Sequence, residues 1–202
     1  MNKFSRSAYA LGTAARITKN VIGVTGIVMI CVLIVLSIAN HIDPNTVIGT
    51  ELNIVDIGPL SIELMEEYTP DNDAILRYAW VYGVLYALIA AAVYVGLGYV
   101  QKILAPIAEG NPFHPETAVY LKKFAYVSLI LGLINNVSEI IGTTVALHSF
   151  NLDKLLASDI IQSISVNYEI DLGFVIVFLV IMLMSYIFSY GAELQKLSDE
   201  TL

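Results

Sequence analysis

Four stretches of this chain leave little choice of solvent. Val21 to Ala39, Ala79 to Val100, Phe124 to Leu147 and Leu172 to Gly191 are apolar runs, each close to the roughly 20 residues with which a helix crosses a hydrocarbon layer of about 30 Å. Of the four, only the third holds a side chain charged at neutral pH, Glu139. Inside a bilayer the backbone must satisfy its own hydrogen bonds, so runs of this length are read as helices. Composition agrees: 202 residues would otherwise suggest one soluble domain. Yet 57% of them are hydrophobic and 14% charged, against about 45–50% and about 25% in soluble domains. The expected fold is an all-α integral membrane protein, a single four-helix membrane domain over residues 1–202 with spans at about 21–39, 79–100, 124–147 and 172–191.

The first run follows Lys3, Arg6, Arg16 and Lys19, as a secretory signal would. It exceeds the usual apolar length and lacks a small-residue cleavage site, so it reads as an uncleaved membrane helix. Lysine and arginine also orient the chain, because cytoplasmic flanks retain positive charge. The N-terminal flank holds those four cations, the middle connection and its flank Lys102, Lys122 and Lys123, and the C-terminal tail Lys196, whereas the other connections offer only Arg77 and Lys154. The termini and residues 101–123 are therefore expected in the cytoplasm, with 40–78 and 148–171 outside, in the plasma membrane. Cys31, the single cysteine, lies within the first span and excludes an intrachain disulfide.

Net charge is −8, and Asp43, Glu51, Asp56, Glu63, Glu66, Glu67, Asp71 and Asp73 gather in the first external segment. Direct nucleic-acid binding is disfavoured. Such a surface attracts cationic peptides or divalent ions, although Asp71-Asn72-Asp73 lacks the later glycine and glutamate of a calcium loop. Gly58-Pro59 separates two β-rich runs in a pattern that fits a small hairpin, and Asp71 or Asn72 is placed to cap the helix entering the second span. In the second external segment Leu156, Ile160 and Ile164 recur at helical spacing, as in an amphipathic helix lying on the membrane.

The middle connection contains IAEGNPFHPETAVYLKKF, residues 107–124. Gly110 is expected to end one helix in a left-handed conformation, and Asn111-Pro112 to stop its continuation. His114 is placed as a cap, Pro115 at the first helical position and Glu116 at the positive end of the helix dipole. Ala118, Leu121 and Phe124 mark a packing face, while Lys122 and Lys123 sit where long side chains reach phosphate headgroups. Phe113 alone is not required by the elbow: it either packs back under the helices, the favoured reading, or meets a cytoplasmic partner. GNPF followed by PETAVYLKKFAY, flanked on each side by two spans, resembles the bacterial four-pass membrane family called domain-of-unknown-function family 2975. On that resemblance Gly110, Pro112 and Phe113 match the family's cytoplasmic turn, and Lys122 and Lys123 its following basic residues. Members are often encoded beside small helix-turn-helix regulators, which implies a cytoplasmic transcriptional regulator as partner; no catalytic residues are implied.

Glu139 is the residue that most demands an explanation, since charged groups in a span are costly and normally face the bundle or water. Ser128, Gly132, Asn135, Glu139, Gly142 and Ala146 lie along one helical seam, widened by Asn136, Thr143 and Thr144. This seam is expected to be buried, with Glu139 neutral and hydrogen-bonded at the depth of Tyr82 and Tyr86 on the second span. Glu139, Asn135, Asn136, Thr143, Tyr82 and Tyr86 thus form the candidate intramembrane site, read as a structural hydrogen-bond cluster, a ligand or lipid site, or an ion path. His41 and His148 do not make a metal or catalytic set; no enzyme activity, cofactor or metal is expected. The favoured function is a membrane regulatory or sensory protein. The alternatives are self-protection against a cationic membrane-active peptide and, third, a small-solute or ion transporter.

Overall fold

A computed structural model describes residues 3–43, 54–57, 60–63, 72–149 and 170–200. Four long helices dominate it: α1 (Lys3–Ile42), α2 (Asn72–Ala108), α3 (Pro115–Ser149) and α4 (Gly173–Glu200). Each is long and apolar enough to cross a membrane, as expected of a multi-pass membrane protein. All of them outrun the apolar stretches that announced them. The 40 residues of α1 measure about 60 Å at 1.5 Å per residue, twice the hydrocarbon thickness, because the polar flanks continue the helix instead of breaking it.

The helix ends follow the local chemistry read from the sequence. Gly110 has φ +89°, its N–H donates to Ile107 O at 3.1 Å, and Asn111 N–H donates to Pro106 O at 2.9 Å. This is the Schellman pattern, in which a residue without Cβ lets the chain turn back and cover two orphan carbonyls. At the start of α3, His114 Nδ1 accepts the Glu116 N–H at 3.3 Å and His114 O accepts the Thr117 N–H at 2.9 Å, with Pro115 in the first helical position. Asp171 Oδ1 accepts the Gly173 N–H at 2.7 Å and so covers a donor at the start of α4. Within the helices, hydroxyls of Thr13, Thr25, Ser37 and Thr144 donate to the carbonyl four residues back, which inside the apolar runs keeps a polar group paired without water.

The chain divides into two compact units. The first comprises 1–25, 89–133 and 171–202, so all four helices contribute to it. Its core lies on the buried face of α3, where Ala118, Leu121 and Ala125 are enclosed and Ser185 Oγ of α4 donates to Ala118 O at 2.8 Å. Small residues admit large neighbours here: Phe124 lies over Gly96, and Phe174 over Gly132. Tyr126 meets Phe178 with ring centroids 5.6 Å apart.

The second unit comprises 26–88 and 134–170, with the remaining lengths of α1, α2 and α3. Leu33 fills the space over Gly83, and Tyr82 that over Gly142. Strands β1 (Ile54–Ile57) and β2 (Leu60–Glu63) pair antiparallel in the register Ile54↔Glu63 to Ile57↔Leu60, the hairpin expected around Gly58-Pro59. The amphipathic helix expected near Leu156, Ile160 and Ile164, the Asp71 cap and most of the acidic segment lie outside the described residues.

Candidate functional site

In the second unit, the start of α2 places Asp73, Leu76, Arg77, Trp80 and Val81 at the three- and four-residue spacings that share one helix face. Together with Ser37 of α1 and Thr144 and Val145 of α3 they line a cleft of about 770 Å³, within the size range of small-molecule sites. Three hydrogen bonds hold its wall. Trp80 Nε1 donates to Ser37 Oγ at 2.7 Å, and that hydroxyl donates to Leu33 O at 2.9 Å. Asn40 Nδ2 donates to Asp73 Oδ1 at 3.2 Å. Arg77, one turn beyond Asp73, is exposed and makes no ion pair among the described residues.

Among the described residues the guanidinium has no partner for its fork of donors, and the Asp73 carboxylate one turn away accepts from Asn40; set beside leucine, valine and indole surfaces, such a group suits a ligand with an anionic head and an apolar body. From the sequence Arg77 serves only as a sign of topology, and no periodicity or motif marks Trp80, Ser37 or Asn40. A signal was present: Trp80 is the single tryptophan, and Arg77 the only arginine beyond the N-terminal flank, three residues before it.

The site expected around Glu139 is only partly assembled. Tyr82 meets α3 at Gly142, where a Cβ would lie 2.6 Å from the Tyr82 hydroxyl oxygen, and its ring sits 4.4 Å from that of Tyr78. Thr143 is buried and Asn136 half-buried. By contrast, Tyr86, Asn135 and Glu139 are exposed, and Glu139 has no hydrogen bond or ion pair among the described residues. Burial of Glu139 within the chain, the premise of the neutral structural carboxyl, therefore does not hold. The seam is used in pieces: Gly132 and Gly142 receive aromatic rings, Ala146 is fully enclosed, and the polar residues between them remain on the outside of the single chain.

At the elbow, Phe113 packs against α4. Its ring lies over Gly191, 5.6 Å from the centroid of Phe188, so the favoured packing role is observed. It remains 39% exposed, which leaves one face of the ring available. Gly110 is exposed, Pro112 half-buried, and Lys122 and Lys123 exposed. Cys31 and His41 are exposed, and the His148 side chain lies outside the described residues. Among the described residues no three His, Cys, Asp or Glu side chains are grouped to hold a metal. Compared with known proteins, the chain matches no family model, no curated protein and no solved structure.

Proposed function

We propose that this chain is a membrane-embedded regulatory or sensory protein of a bacterial plasma membrane, with both termini and the α2–α3 loop in the cytoplasm. It takes an amphiphilic anion in the cleft at Arg77 and Trp80, and it acts on a cytoplasmic partner through the loop that carries Phe113. The observation that supports this reading is Arg77, without an ion pair among the described residues, in a largely apolar cleft near the start of α2, the helix whose far end leads into that loop. The resemblance of GNPFHPETAVYLKKF to a four-pass family encoded beside helix-turn-helix regulators makes such a regulator the expected partner.

Two measurements test the reading. A reporter fused after Leu202 should be cytoplasmic and one inserted near Gly58 external, following the bias of basic flanks; reversed signals would remove the loop from the partner's compartment. In affinity capture from mild detergent, the wild type should bring down a helix-turn-helix regulator. Phe113→Ala should lose it while costing only about 2 kcal/mol of stability, less than the roughly 3–5 for a fully buried ring, and Lys122→Ala should weaken capture with the thermal midpoint unchanged. Arg77→Gln should leave capture intact but abolish its response to added amphiphile. If no regulator is captured and loss of the protein instead sensitises cells to a cationic peptide, the self-protection reading replaces this one.

A further inference from the structure

The first unit holds a second concentration of unusual contacts, independent of the cleft and of the partner loop. Tyr99 of α2 and Tyr120 of α3 stack with centroids 6.2 Å apart and planes 25° from parallel. Three residues after each tyrosine stands a lysine, and both ammonium groups turn to the same ring: Lys102 Nζ lies 5.0 Å and Lys123 Nζ 5.6 Å from the Tyr120 centroid. The two cations are therefore no more than about 11 Å apart, near one Debye length at physiological salt, and cation–π attraction to one ring face or edge offsets only part of their repulsion. Neither makes an ion pair among the described residues. Two ammonium groups from different helices gathered about one aromatic ring are complementary to an anion that both can reach.

Depth identifies the source of that anion. Lys19 closes the polar flank of α1 just before its apolar run, and its Nζ sits 4.4 Å from the Tyr94 centroid and beside Gly98. The edge of the apolar layer on α2 thus falls near Tyr94 to Gly98. Lys102 is one further turn toward the loop, about 6 Å beyond Gly98, and on α3 Lys123 directly precedes the apolar run that begins at Phe124. This is the layer occupied by lipid phosphates, in which lysine stems lie along apolar surface and their heads reach the headgroups.

We propose that Lys102 and Lys123, both drawn to the Tyr120 ring, form a binding site for the phosphate of an anionic membrane lipid. Near a membrane surface each lysine removed should lower apparent affinity about fivefold. The test is native mass spectrometry of the full chain in mild detergent, titrated with phosphatidylglycerol, with phosphatidylcholine and with inorganic phosphate. Phosphatidylglycerol should bind saturably and phosphatidylcholine should not. Lys102→Gln and Lys123→Gln should each weaken the first lipid about fivefold, and Lys102→Arg/Lys123→Arg should retain it. Lys196→Gln, on α4 and paired with Glu200 at 3.8 Å, serves as the control and should change nothing. Equal binding of both lipids, an unchanged affinity in the glutamine variants, or full competition by inorganic phosphate at millimolar concentration would each overturn the proposal, the last by assigning the site to free phosphate. If a glutamine variant does not fold, the wild-type titration and the arginine pair still decide.

Discussion

Gly132→Ala should lower the thermal midpoint of the detergent-solubilised protein by several degrees. A Cβ at this position would run into the Cβ and ring of Phe174, at the root of that side chain, where rotation cannot clear it. Overpacking of this kind costs about 1–3 kcal/mol, and the gain in helix propensity on replacing glycine returns at most about 1 kcal/mol. The net loss of roughly 1–2 kcal/mol corresponds to about 2–8 °C for a chain of this size. Gly98→Ala is the matched control, since its Cβ would meet only the Lys19 ammonium at 3.5 Å, an ordinary contact at the end of a flexible side chain. That variant should melt with the wild type or slightly above it. A Gly132→Ala protein that does the same would mean that Phe174 does not seat on α3 as described.

Glu139→Leu should have the larger effect, and on a different quantity. Because the carboxyl lies on the outside of the single chain, removing it should leave the thermal midpoint of the single chain within the range of surface substitutions, about 0.5 kcal/mol. Transfer of α3 into the bilayer should improve by about 3 kcal/mol, the interval between a charged residue and leucine at the centre of a membrane helix. An insertion assay on the α3 segment and a melting curve of the whole protein read the two quantities separately. Glu139→Gln should fall between wild type and leucine in insertion and melt with both. A clear fall in the midpoint for leucine alone would restore the carboxyl to a structural role.

The difference between Gly132 and Glu139 marks where sequence reasoning stops. Periodicity puts both on the same seam of α3, and it does so correctly, because 100° per residue is a property of the backbone. Which part of a seam is covered depends on where other helices begin and end. α4 starts at Gly173, so that Phe174 meets α3 at Gly132, and Glu139 lies two turns further along α3. No local pattern around Glu139 carries that information.

Features governed by a few consecutive residues were legible in the chain itself. The four helices follow from apolar length, the left-handed Gly110 and the His114-Pro115 start of α3 from capping chemistry, and the hairpin from Gly58-Pro59 between β-rich runs. Each is decided by interactions within about five residues or by the backbone's need for hydrogen bonds. Only the tertiary structure gathered Ser37, Asn40, Asp73, Arg77, Trp80 and Thr144 around one cleft, turned Lys102 and Lys123 onto the same tyrosine, and laid Phe113 against Gly191. Those neighbours are separated by up to a hundred residues or more along the chain. Their meeting is fixed by which small residues let two helices approach, a long-range packing condition that hydropathy and spacing do not encode.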